Sequence, residues 1–84
     1  MNPHVQTAAV KSDYRLLLTF VNGEMRVFDL RPYLDKGVFK RLLDPTVFAQ
    51  VCVVAGSVEW PGEVDLSYDT LYLRSTAVQD VVVA

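Results

Sequence analysis

The chain has 84 residues, a length at which one core buries about two thirds of the unfolded surface and a second domain has no room. Hydrophobic residues at 51%, charged residues at 21% and nine aromatics match an ordinary globular composition and exclude intrinsic disorder. A net charge of −2 lacks the concentrated basic footprint of nucleic-acid binders, so no direct nucleic-acid partner is expected.

In chain order, Val5 to Val10 has strand character, and Ser12-Asp13 reads as a turn before Arg15-Leu-Leu-Leu-Thr-Phe20, an apolar run that favours a strand. Val21-Asn22-Gly23-Glu24 is the strongest local signal, because Asn and Gly tolerate the positive φ of a type I′ turn. Met25 to Leu30 alternates apolar and polar residues, so residues 15 to 30 should form a hairpin. Pro32 then ends the strand, since its ring fixes φ and removes an N–H.

After Asp35-Lys36-Gly37, the residues Val38, Phe39, Leu42 and Leu43 fall on one face of a short amphipathic helix. Asp44-Pro45 repeats the start signal of a capped helix, with Val47, Phe48 and Val51 facing inward. The β-branched runs Val51–Ala55 and Ser57–Trp60 flank Gly56 and read as strands, and Pro61-Gly62 forces a turn. Residues 67 to 73 fit either a helical turn or a strand. Residues 77 to 84 fit a frayed tail, an edge strand or a partner-binding strand. The expected fold is α+β, in the order β-β-β-α-α-β-β, as a small mixed sheet or partly closed barrel with two short helices. The whole chain, 1–84, reads as one domain, with a core over about 5–73 and a C-terminal extension over 74–84.

A single cysteine, Cys52, cannot form an internal disulfide, and no basic, apolar leader or run of ~20 apolar residues marks export or membrane insertion. A cytoplasmic protein without a membrane partner is the expectation. Cys52 stands in Val-Cys-Val-Val and reads as a small core hydrophobe. His4, the only histidine, reads as a solvated terminal side chain with no second imidazole to share a metal. The serines lie in no Gly-x-Ser-x-Gly elbow, and glycines 23, 37, 56 and 62 are scattered singly, so neither hydrolase chemistry nor a phosphate loop is indicated. The expectation is therefore no enzyme, with no catalytic residues, no cofactor and no metal.

Charge is unevenly spread. Residues 1 to 43 carry seven basic and four acidic side chains, and residues 44 to 84 carry one basic and six acidic, so the halves stand at +3 and −5. That polarity favours a protein partner or self-association, including a homodimer. The candidate interaction surface comprises Trp60, Pro61, Asp65, Tyr68 and Tyr72 with the basic residues Arg31, Lys40 and Arg41. For Trp60 the competing reading, a cap on the small core, weighs more heavily. The alternative function is small-molecule or metal binding by the carboxylates of residues 59 to 69, namely Glu59, Glu63, Asp65 and Asp69.

Leu17 to Phe20, Asn22-Gly23-Glu24, Phe28-Asp29-Leu30, Gly37-Val38-Phe39, Leu42, Phe48, Trp60-Pro61, Asp65-Leu66 and Leu71-Tyr72, taken together, resemble a widespread family of small bacterial proteins of unknown function. Its fold is named after the N-terminal domain of a Nitrosomonas protein. The resemblance spans roughly residues 5 to 73 and implies an α+β fold with no established activity and no catalytic residues. Some relatives precede a helix-turn-helix domain or are encoded beside another small protein in toxin–antitoxin-like pairs, which implies an accessory or neutralising role. The sequence departs from that family at Trp60-Pro61-Gly62-Glu63-Val64-Asp65, where relatives often have an Asn-Gly turn before the aspartate.

Overall fold

The computed structural model describes residues 2–78. Along this stretch lie β1 (Val5–Lys11), β2 (Arg15–Phe20), β3 (Met25–Asp29), α1 (Pro45–Phe48), β4 (Cys52–Val54), β5 (Ser57–Trp60), β6 (Val64–Leu66), α2 (Tyr68–Arg74) and β7 (Thr76–Ala77). One sheet runs in the order β1-β2-β3-β7 and the other β4-β5-β6, and every pairing among the described residues is antiparallel. The α+β class expected from the sequence holds, as two sheets that do not close into a barrel.

The β2–β3 hairpin forms as its alternation requires. Leu16, Leu18 and Phe20 are fully buried beside Phe28, while Arg15, Leu17 and Thr19 turn to the opposite face. The connecting turn differs from the type I′ expectation. Gly23 N–H reaches Phe20 O at 2.9 Å and Phe20 N–H reaches Glu24 O at 2.9 Å, which makes a three-residue loop. Only Gly23 has positive φ there, at 90°. Asn22 instead uses its amide oxygen to accept from Glu24 N–H at 3.0 Å, a local competition that keeps it out of the left-handed region. The paired positive φ values occur at Ala55 and Gly56, 51° and 82°, in the β4–β5 turn. No Asn or Asp announces that turn.

The amphipathic helix expected over residues 38 to 43 is a 3-10 helix, Gly37–Leu43. With three residues per turn, Phe39 and Leu42 stack on the inner side and Val38 and Leu43 are left exposed, so the expected four-residue face does not form. Asp44 caps α1 as its sequence suggests, accepting from Thr46 N–H at 2.9 Å ahead of Pro45. The ambiguous stretch after Pro61 resolves into strand β6 followed by helix α2, which Ser67 caps by accepting from Thr70 N–H. At the start of the 74–84 stretch, Arg74 closes α2, and β7 pairs Ala77 with Arg26 and Thr76 with Val27. Residues 79–84, where an edge or partner-binding strand was an option, lie outside the described residues.

The core joins both sheets through Val5, Leu16, Leu18, Phe20, Phe28, Leu30, Val58, Trp60, Val64 and Leu71 among its members. A backbone bond from Val5 N–H to Gly56 O, 2.8 Å, ties the start of β1 to the β4–β5 turn. Gly56 is needed there, because a Cβ would sit 2.6 Å from the His4 side chain at a φ that L-residues rarely adopt.

Candidate interaction surface

The eight residues singled out from the sequence do not share one surface. Trp60 is 3% exposed and belongs to the core, where its indole N–H donates to Phe48 O at 2.9 Å and its ring stacks on Phe48. It is removed from the surface set, because a chain this short needs its one indole inside. Tyr68 and Tyr72 are half-buried on α2. Tyr68 packs on the His4 ring, with centroids 4.3 Å apart, and Tyr72 meets Phe20 edge-on at 5.2 Å. Pro61, Asp65, Arg31, Lys40 and Arg41 are exposed. The fold brings Arg41 to the Pro61-Gly62 turn, since a Cβ on Gly62 would stand 3.0 Å from its guanidinium. Arg31 is committed to Asp29, donating through Nε and Nη2.

A latch of polar side chains holds Tyr72 in place. Its hydroxyl donates to Glu24 at 2.7 Å, and the Arg26 guanidinium lies 4.7 Å from its ring centroid. Arg26 also donates to Ser75 Oγ and to Ser75 O, which fastens the end of α2 to β3. The Tyr72 hydroxyl, followed by the Asn22 amide, holds the Glu24 carboxyl below its ordinary value. The same bond to Glu24 raises the Tyr72 hydroxyl. The Arg31 hydrogen bonds lower Asp29 likewise.

Ion pairing explains how the charge is left distributed. All four ion pairs among the described residues are local: Arg15–Asp13, Arg26–Glu24, Arg31–Asp29 and Lys36–Asp35. They use every acid of the first half and none of the second. Lys11, Lys40 and Arg41 on one side, and Glu59, Glu63 and Asp65 on the other, make no ion pair among the described residues. Glu59 and Asp65 are direct cross-strand neighbours, with Cys52 next in the same row on β4. These three exposed side chains lie on the outer face of the second sheet, beside a shallow hollow of about 300 Å³ lined by Val54, Ser57, Glu59, Asp65 and Leu66.

The structure moves Cys52 from its expected place. Cys52 is exposed rather than in the core, because β4 turns Val53 inward and Cys52 and Val54 outward. His4 is exposed, as expected for a solvated side chain, and its ring also packs on Tyr68 and lies against Gly56. Among the described residues, no group of three or more His, Cys, Asp or Glu side chains is placed to hold a metal ion.

One surface escaped the sequence reading. On the outer face of the first sheet, Ala9, Leu17, Val27 and Thr76 stand in one row across all four strands, with Thr7, Thr19 and Met25 in the next. Leu17 and Val27 take no part in the buried core, and Met25 is 43% exposed. The signal was present in Arg15-Leu-Leu-Leu-Thr-Phe20, where Leu17 breaks the alternation that one buried face would need.

The model of the family described as "Protein of unknown function (DUF2442)" matches residues 5–77, a stretch that takes in all of these strands and helices. The chain belongs to that family. No curated protein and no solved structure matches it. The family carries no assigned activity, in keeping with the expected resemblance to proteins of unknown function, and it extends through β7 rather than ending near residue 73. No helix of the described residues is long and apolar enough to cross a membrane.

Proposed function

We propose that this protein is a non-catalytic interaction module that binds a basic protein partner through the acidic outer face of its second sheet. The observation that carries this is the absence, among the described residues, of any ion pair between the two halves. Each acid of the first half has a neighbouring base, and the acids of residues 59 to 65 have none among the described residues and are left for something else. Glu59 and Asp65 face each other across neighbouring strands, an arrangement that costs stability unless a cation relieves it. A lysine or arginine of a partner would do so, with the neighbouring hollow taking its apolar stem. The cellular form of this role would be the accessory or neutralising member of a toxin–antitoxin-like pair in the cytoplasm, where the exposed thiol of Cys52 stays reduced.

Affinity capture from a lysate of the native host tests the proposal. A basic protein should bind at low salt, elute as salt screens the contact, and fail to bind a Glu59→Lys/Asp65→Lys variant while still binding Lys40→Ala. Capture indifferent to both salt and charge reversal would reject it, as would no capture at any salt. The same carboxylate pair supports a second reading as a small-molecule or ion site. Thermal stabilisation by a divalent cation, removed by Asp65→Asn, would favour that reading instead.

A further inference from the structure

We infer that β1 pairs with β1 of a second copy, joining two four-stranded sheets edge to edge around a two-fold axis at Ala9. The inference stands independently of the acidic face. It begins with which backbone groups are free. Phe20 exchanges both its backbone bonds with the β2–β3 turn, so Phe20, Leu18 and Leu16 bond toward β3 and Thr19, Leu17 and Arg15 toward β1. The bond from Val78 N–H to Met25 O fits the same alternation on the far side of β3. In β1 the partners of Thr19, Leu17 and Arg15 are Thr7, Ala9 and Lys11, whose bonds are thereby used. Ala8 and Val10 point their N–H and C=O groups away from the sheet, and no other backbone bond among the described residues reaches them.

The chain protects this edge poorly. Gln6 to Val10 contains no charge, no proline and no bulky side chain, the usual devices against strand addition. At Val5 the edge is already occupied by the β4–β5 turn through Gly56 O, so the free stretch is centred on Ala9.

A second copy fits this stretch in one register. With Ala9 opposite Ala9 of the copy, Ala8 and Val10 each meet the other's free groups, which makes four backbone hydrogen bonds. Val10, 37% exposed in the monomer, then packs beside Ala8 of the copy. The one charged side chain of the strand, Lys11, lies opposite Thr7 of the copy, so no like charges meet. The outer-face row also becomes continuous, running Val27, Leu17, Ala9 and then Ala9, Leu17 and Val27 of the copy.

Cysteine cross-linking in a Cys52→Ser background tests the register, because Ala9 and its copy form a non-hydrogen-bonded pair with Cα atoms about 4.5 Å apart, within disulfide reach. Ala9→Cys should oxidise rapidly to an interchain dimer. Thr7→Cys alone and Lys11→Cys alone should not, while a mixture of these two should cross-link with each other. Sedimentation should show a dimer for the wild type and an association at least about tenfold weaker for Ala9→Glu, which sets two carboxylates against each other at the axis. Ala9 is exposed, so both variants keep the monomer fold, as circular dichroism will verify. A wild type that sediments as a monomer at every concentration overturns the inference. So does Thr7→Cys cross-linking alone as fast as Ala9→Cys.

Discussion

The two sheets are built by different means. In the first, β1, β2 and β3 have five to seven residues each and pair through regular alternation beside the two-residue β7, and Leu16, Leu18, Phe20 and Phe28 make a continuous buried face. In the second, strands of three or four residues are held by tight turns that push Ala55 and Glu63 to positive φ, and by Trp60, whose indole reaches across to α1. The first sheet spreads its stabilisation over many equivalent contacts. The second concentrates it in a few, so single substitutions there should do more damage.

Trp60→Ala is the sharpest way to break that contrast. It removes the largest buried side chain of the second sheet and orphans Phe48 O, with an expected loss of about 3–5 kcal/mol in denaturant unfolding. A loss under about 1 kcal/mol would mean that the sheet is held by something other than its indole. Gly56→Ala comes next, at about 1–3 kcal/mol, since the new methyl meets the Cβ and Cγ of His4, atoms that have little room to move. Its melting temperature should fall more than that of Gly23→Ala, where open space surrounds the site and only the backbone conformation is strained.

A third prediction concerns pH and the latch between the first sheet and α2. Glu24 has its carboxyl lowered by the Tyr72 hydroxyl, so the latch stabilises the fold above the ordinary carboxylate value of 4.5 and is lost as pH falls through the lower folded value. Tyr72 is raised, so its contribution holds below 10.0 and is lost as pH rises through the higher folded value. In Tyr72→Phe, the plot of melting temperature against pH should be flatter at both ends; an unchanged acid limb would show that this hydroxyl does not set the Glu24 carboxyl. The smallest effect should come from Ala55→Asn. Asparagine tolerates the left-handed region better than alanine, so a gain of about 0.5–1 kcal/mol is expected. A loss would show that the turn is relaxed in solution.

Much of the first sheet was legible from residues alone. The hairpin over 15 to 30 has an apolar first strand, an alternating second strand, a glycine at the turn and a proline beyond it, and each of these acts over a few residues. The helix start at Asp44-Pro45 was readable for the same reason, since a cap is a local hydrogen bond, whereas the start at Ser67 stayed open between helix and strand. Cys52 was misjudged, and the ring contact of the exposed His4 was missed, because both depend on distant segments: β5 decides which way β4 turns, and α2 supplies the ring that His4 packs on. For Trp60 the favoured core reading holds, and the structure adds the partner that the sequence could not name, Phe48.

By itself, the sequence determined the α+β class, the strand order of the first hairpin, the helix start at Asp44-Pro45 and the opposite charge of the two halves, all properties of neighbouring residues or of simple counts. Only the tertiary structure decided that Glu59 and Asp65 would face each other and that β1 would be left with a bare edge. Those outcomes depend on register and burial, which arise where segments far apart in the chain meet and which no local pattern encodes.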